Sequence, residues 1–288
     1  MNPMPRSALR SLAAAAALFA AVTADVSARA EAPPALSPLA APPWLGVTMN
    51  PGGEGGVAVL HVVRGSPAEK AGMRTGDKIV AIDGAKTSAS GEVTRAVGTH
   101  RSGDTVNVDL DRAGTRMKLP VMLATRPSGD DILRMDLVGA FAPAWQNVTP
   151  LAGAPASLAQ LRGKVVVVDF WASWCGPCRA LAPRLSALKG RFGAQGLSVV
   201  GITTDEAEKA AVFAERNQMR YPTVIDTAGD TSKTYGITGL PTMLLLDKRG
   251  VVREVFVGFD PTGEAKLEAL VKTLLAEPAP SAPSTAAK

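Results

Sequence analysis

The sequence predicts an α/β domain in the C-terminal half of the chain, preceded by a small, mostly-β domain. Three observations carry this. The first is Val165 to Phe170, a short run that is apolar except for Asp169 and gives way directly to a helical pattern. Continuous apolarity over so few residues suits a strand buried on both faces. The second is a later series of apolar runs, Gly196–Ile202, Met243–Leu246 and Val251–Val257, closed by a segment with Leu267, Leu270, Val271, Leu274 and Leu275 on one helical stripe. The third is the different texture of residues 44–125, where short apolar runs are broken by glycine turns. A length of 288 residues with 46% hydrophobic content suits two domains of this size.

The buried strand ends on Trp171-Ala172-Ser173-Trp174-Cys175-Gly176-Pro177-Cys178, which holds the only two cysteines in the sequence. The pair therefore sits where a strand gives way to a helix N-terminus. Such a terminus carries unpaired N–H groups and about half a positive charge. That field favours a thiolate over a thiol and brings a cysteine from about 8.5 to about 7 or lower. Cys175 is expected to be the exposed attacking sulfur and Cys178, one turn in, the resolving one. Pro177 suits the first turn because its missing N–H has no intrahelical acceptor there. Pro183, inside the helix, is expected to bend it.

Val167 to Cys178 resembles the active-site segment of the thioredoxin superfamily, whose own thiolate is among the depressed cases just described. The longer stretch from Gly139-Ala140-Phe141-Ala142-Pro143 through Gly239-Leu240-Pro241-Thr242 to Gly258-Phe259 resembles the exported TlpA/ResA-like branch, over about residues 137–276. The resemblance implies a thioredoxin fold, with a central mixed sheet flanked by helices. It implies a thiol–disulfide oxidoreductase acting on protein clients that carry thiols or disulfides, without metal or organic cofactor. It also implies site roles. Asp169, costly to bury and raised in pKa by burial, would take the proton of Cys178 through a water. Pro241 would be cis and face the cysteines, which leaves the Leu240 backbone free to pair with an incoming chain. Trp174, Gly176 and Pro177 would face the client, and Trp171 would belong to the core. The Gly-Pro pair between the cysteines resembles reducing thioredoxins, which suggests a reductase fed by a membrane thiol donor. In one place the chain departs from the ResA pattern: Leu181 stands where reductases serving cytochrome c maturation carry Glu.

Residues 1–28 read as an export signal: Arg6 and Arg10 precede an Ala-rich apolar run, and Val22-Thr23-Ala24 and Val26-Ser27-Ala28 offer cleavage patterns. The protein is therefore expected in the periplasm or otherwise outside the cytoplasm, with an uncleaved membrane anchor as the alternative. Residues 29–43 form an Ala/Pro-rich linker. From Ser66-Pro67-Ala68 to Asp83-Gly84, the next segment resembles a bacterial-type PDZ domain, assigned to residues 44–125. In that family a guest peptide C-terminus or edge strand adds to the sheet. Leu45, Gly46 and Val47 then resemble the carboxylate-binding loop, with Val47–Met49 as the free edge. Val93 and Val97, on a helix that Ser90 caps, face the groove or else fill the core. Residues 126–136 read as a polar linker and 277–288 as a disordered tail.

Composition removes other classes. The net charge of +5 is scattered, with no basic run, so nucleic acid is not an expected partner. His61 and His100, the two histidines, both fall in the PDZ-like segment, so neither a zinc site nor a Ser-His-Asp protease set is encoded. Thr203 to Glu206 fits a capping box for an additional helix that the TlpA/ResA-like branch inserts. Two readings compete with the oxidoreductase: a binding or scaffold protein with a redox latch, and a thiol peroxidase. The second lacks the Thr two or three residues before its first cysteine.

Overall fold

A computed structural model describes residues 41–151 and 153–278. The expected export signal and most of residues 29–43 and 277–288 lie outside the described residues. Among the described residues no helix is long and apolar enough to cross a membrane.

The N-terminal domain starts with β1 (Pro43–Trp44), β2 (Val47–Met49) and β3 (Val57–Val62). A short α1 (Pro67–Lys70), capped by Ser66 Oγ, leads into β4 (Lys78–Ile82) and β5 (Ala85–Lys86). The α2 helix (Ser90–Gly98) and the long hairpin β6 (Thr105–Arg112) and β7 (Thr115–Met122) follow, then β8 (Ala124–Thr125). The main sheet runs β2-β3-β4-β6-β7, all antiparallel, with β5 paired to β4. Asp83 and Gly84 both have positive φ, as the tight turn from β4 to β5 requires. β1 pairs with β8, Pro43 opposite Thr125, so the last residue of the expected linker is the first of this domain.

Residues 126–136, expected as a polar linker, are instead mostly helical: α3 spans Gly129–Leu137. The polar run Ser128-Gly129-Asp130-Asp131 is its cap and first turn, with Ser128 Oγ accepting from Asp131 N at 3.1 Å. Leu133 and Leu137, four apart, are buried in the core of the following domain with Trp145 and Tyr235. On its other side α3 meets the N-terminal domain: Asp136 accepts from His61 Nε2 at 2.8 Å and from Arg64 N at 3.1 Å.

The C-terminal domain adds β9 (Thr149–Pro150), a 3-10 turn over Leu158–Leu161, β10 (Val165–Phe170) and α4 (Gly176–Phe192). Next come β11 (Leu197–Thr203), α5 (Ala207–Arg216), β12 (Thr223–Ile225) and α6 (Asp230–Thr234). β13 (Thr242–Leu246), β14 (Val252–Val257) and α7 (Pro261–Ala276) complete it. The sheet order is β14-β13-β10-β11-β12-β9. β10, β11 and β12 are parallel, while β9, β13 and β14 run against their neighbours. This is the mixed sheet flanked by helices that the resemblance implies.

Every residue of β10 is buried. Val165, Val167 and Trp171 face one apolar layer with the buried sides of α4, α5 and α7; Val166, Val168 and Phe170 face the other, with α3. Period-two alternation of two apolar sets explains why the run reads as continuous.

Three local expectations fail. The capping box at 203–206 does not form: Thr203 closes β11, Glu206 sits at the N-cap of α5 without a side-chain cap bond, and Asp205 is used elsewhere. Ser90 is already helical, and the Glu92 carboxylate accepts from Ser88 N and Ala89 N to serve that helix start. Glu277, assigned to the tail, is held by Arg253 Nη1 at 3.0 Å.

Candidate functional site

The site is built at the carboxyl end of β10. Trp171 turns inward and stacks on Phe213 of α5 at 4.4 Å, so it is core, as expected. Trp174 turns outward and is 72% exposed. Between them, Ser173 N donates to Asp205 Oδ2 at 2.5 Å, which ties the loop to the end of β11. Sequence reasoning placed Asp205 in a cap; its real partner is 32 residues away, and no local pattern announces it.

Cys175 is the N-cap of α4, and Gly176 and Pro177 form its exposed first turn. Cys175 and Cys178 are joined by a disulfide, their Cα atoms 5.3 Å apart. Cys178 N also donates to Cys175 Sγ at 3.2 Å. The first sulfur thus occupies the place where a helix N-terminus stabilises negative charge. One expectation is corrected here: Cys175 is not exposed, only 3% of it reaching solvent. Bonded to Cys178, it belongs to the apolar layer that contains Trp171 and Leu181 and on which Leu240 packs.

The Leu240–Pro241 bond is cis. Pro241 O accepts from Gly258 N at 2.8 Å and Thr242 Oγ1 donates to Gly239 O, fixing both sides of the bond. Leu240 is half-buried and, with Trp174, Thr203 and Ile237, lines a cleft of about 240 Å3. The structure therefore brings together Trp174 and Leu240 at this cleft, beside the Cys175 turn.

Asp169 lies below, 2% exposed, on the same sheet face as the cysteines. Tyr221 donates its hydroxyl to Asp169 Oδ2 at 2.7 Å; Asp169 Oδ1 has no protein partner. Burial pushes the carboxyl up to about 7, while the Tyr221 bond pulls the other way. Burial and the neighbouring carboxylate hold Tyr221 well above its ordinary value, so it stays a donor at neutral pH. A buried acid near neutrality can both accept and return a proton there. Tyr221 was missed by the sequence reading: it stands 52 residues from Asp169, before a proline.

The candidate peptide site of the N-terminal domain is less complete. β2 is an edge strand, paired to β3 on one side only, and Val47 on it is half-buried. Leu45 and Gly46 are buried; their carbonyls accept from Ala68 N and Val63 N, each at 2.9 Å. Gly46 has φ +92 and a Cβ there would meet Ser66 Cβ at 2.2 Å, so only glycine fits this loop. Val93 and Val97 do not form an open groove wall. They are 1% and 6% exposed and belong to the domain core, because their spacing of four turns that face of α2 onto the sheet. Among the described residues no cluster of three or more His, Cys, Asp or Glu could hold a metal.

The AhpC/TSA family matches residues 138–255 and the PDZ domain family residues 43–123. Thiol-disulfide oxidoreductase ResA of Geobacillus thermodenitrificans is 34% identical over 122 residues, which cover 42% of this chain and 70% of that protein. Thioredoxin-like protein YneN of Bacillus subtilis is 35% identical over 116 residues, 39% of this chain and 67% of YneN. Of ResA from Bacillus thuringiensis subsp. konkukian, 34% identical over 110 residues, the chain spans 64% of the length. Among solved structures, a thiol:disulfide interchange protein of the thioredoxin family from Chlorobium tepidum aligns with 49% of this chain and 99% of its own, at 29% identity and TM-score 0.42. On its identity to Geobacillus thermodenitrificans ResA and to YneN, the chain belongs to the ResA-type thioredoxin-like thiol-disulfide oxidoreductase family, with a PDZ domain ahead of its AhpC/TSA domain.

Proposed function

We propose that the protein is an exported thiol–disulfide oxidoreductase that reduces disulfides in protein clients. One observation carries the reading: Cys175 caps α4, and its sulfur lies both in the field of the helix N-terminus and in bonding distance of Cys178.

In the dithiol form, the Cys175 thiolate attacks a client disulfide, and one client sulfur leaves as a thiolate. Cys178 then loses its proton to Asp169, by way of a water, and attacks Cys175 Sγ. The Cys175–client bond breaks, the Cys175–Cys178 bond forms, and the second client sulfur leaves as a thiolate. The client gains two electrons and the enzyme is left as the disulfide, to be reduced again by a membrane dithiol donor. Trp174, Gly176, Pro177 and the Leu240 backbone meet the client chain. Pro241 keeps that backbone facing the cysteine turn, and the PDZ domain recruits a client or partner through the β2 edge.

Trapping tests this. Replacing Cys178 with Ala stops resolution, so mixed disulfides with clients accumulate at Cys175 and mass spectrometry identifies them. Replacing Cys175 with Ser abolishes turnover in insulin reduction. A wild type that reduces insulin no faster than Cys175→Ser, with no turnover, refutes the catalytic reading and favours the redox-latched binding protein. A redox titration tests direction: a strongly oxidising potential makes the protein an oxidase rather than a reductase.

A further inference from the structure

Three buried polar side-chain atoms in one layer lack a protein partner: Asp169 Oδ1, Trp171 Nε1 and Thr223 Oγ1. Buried polar atoms are nearly always bonded, to protein or to ordered water. Their positions are not independent. Asp169 of β10 lies opposite Gly201 of β11, and Gly201 lies opposite Thr223 of β12. A Cβ on Gly201 would stand 2.6 Å from Trp171 Nε1, 2.8 Å from Met219 Cε and 2.9 Å from Thr223 Oγ1, so these three side chains converge over Gly201. Glycine at 201 thus lets the Trp171 N–H and the Thr223 hydroxyl converge one strand away from Asp169. Their chemistry is complementary: an indole N–H that only donates, a carboxyl oxygen that accepts, and a hydroxyl that does either.

We propose that Asp169 Oδ1, Trp171 Nε1 and Thr223 Oγ1 hold one water molecule beside Gly201, and that Tyr221 is the positioning residue that fixes the carboxyl against it. The water makes about three bonds, the usual number for a buried one. It accepts from Trp171, donates to the Asp169 carboxylate, and exchanges a bond with Thr223. Tyr221 occupies Oδ2, which leaves Oδ1 as the oxygen that gains or loses the proton. In this core cluster the titratable side chain besides Asp169 is Tyr221, since Cys175 and Cys178 are disulfide-bonded in the oxidised protein. The inference rests on the reading of Asp169 as the proton acceptor for Cys178.

The test uses full-length protein and Ellman's disulfide as probe. Its first thionitrobenzoate is released by Cys175 attack, its second by Cys178 resolution. Infrared titration of the oxidised protein reads Asp169 ionisation without turnover. Tyr221→Phe is expected to raise the pH of that ionisation by about one unit, since a bond to the charged form is lost. Thr223→Val is expected to slow the second release about fivefold or more, while Thr223→Ser restores it and neither changes the first; a lost hydrogen bond of this kind is worth such a factor. Thermal melts accompany each variant, and the Val/Ser pair controls for folding. Unchanged ionisation in Tyr221→Phe, or equal second phases for Val and Ser, overturns the proposal. An Asp169→Asn variant with an unchanged second phase overturns the base role instead; the infrared shift distinguishes that failure.

A second observation is independent. The additional helix α5 and the head of α4 enclose a groove of about 520 Å3 next to Ser173. Arg179, Lys209 and Arg216 line it against the single carboxylate of Glu208, with Val212 and Phe213 between them. Among the described residues Lys209 reaches only Glu206, at 3.9 Å, and Arg179 bonds only the Ser173 carbonyl. Val212 is exposed although apolar. We infer that this groove docks an acidic stretch with an apolar side chain, adjacent to the reacting disulfide of a client. Two disulfide-bonded peptides, with Glu-Leu-Glu or Lys-Leu-Lys beside one cysteine, test it. The acidic peptide should show a KM about fivefold lower, as two solvent-facing charge pairs allow. In K209E/R216E the preference should reverse, the Lys-Leu-Lys peptide then showing the lower KM. Equal KM values in the wild type, or a preference that survives K209E/R216E, refute it.

Discussion

Replacing Asp169 with Asn converts the burial of one carboxyl into a measurable stability profile. The ordinary carboxyl value is 3.8 and burial in this core carries it to about 7. Between those two values the folded protein holds a proton that the unfolded chain has released. Stability must therefore fall as pH rises through that window, the opposite of a salt-bridged aspartate. Below 3.8 both states are protonated and the group costs nothing; above about 7 both are ionised and the full cost is present. A rise of roughly three pH units at 1.36 kcal/mol each gives about 4 kcal/mol. Asn removes the charge and still offers an oxygen to the Tyr221 hydroxyl.

The assay is urea unfolding of the oxidised protein from pH 4 to pH 9, with hydrogen exchange at β10 to read this domain alone. The stability difference, Asn variant minus wild type, should grow by about 4 kcal/mol between pH 4 and pH 8. Other groups titrate in both proteins and cancel. Parallel curves, differing by under about 1 kcal/mol in slope across that range, would mean an ordinary ionised carboxylate. The chain would then have no buried acid near neutrality to serve Cys178.

Other outcomes follow from the same geometry. Leu133→Ala should cost about 2–4 kcal/mol of C-terminal domain stability in denaturant unfolding, because Leu133 is buried in that core; a surface linker would show almost none. The Asp136 hydrogen bond raises the His61 pKa above 6.5, so protonated His61 stabilises its contact with α3 below 6.5, and this is lost as pH rises through the folded value. Hydrogen exchange at α3, corrected for intrinsic rate, should accelerate over that rise and do so less in His61→Ala. Deleting residues 44–125 should slow reduction of a protein client and spare a small disulfide; equal loss on both speaks against recruitment by the PDZ domain.

What the sequence made legible divides along contact distance. The strand–cysteine–helix junction is written in a dozen consecutive residues, and the pleat, the N-cap and Pro177 obey local rules that need no knowledge of the rest of the fold. The burial of Cys175 was not legible: it follows from packing in a layer that Leu240, 65 residues on, helps to cover. α3 was hidden because its cap, Ser128 with two aspartates, has the composition of a linker, and only two buried leucines betray an apolar face. The capping box at 203–206 is the inverse error, a local pattern whose Asp205 found a stronger distant partner in Ser173 N.

Asp169 shows why these two kinds of information must be combined. Its cost is local, since a carboxylate in a run of valines is anomalous wherever the rest of the chain goes. Its resolution is not, because Tyr221, 52 residues on, reaches it from the turn that leads into β12. Without Tyr221 the carboxyl would be pushed still further up by burial and would stay protonated at neutral pH. Without burial it would ionise in the usual carboxylate range and hold no proton to return. The hydroxyl and the apolar walls therefore oppose each other, and their balance leaves the acid near 7. Activity that depends on Asp169 should accordingly respond to a change in either arm. Removing the hydroxyl should move the pH profile up, and admitting solvent beside Trp171 should move it down.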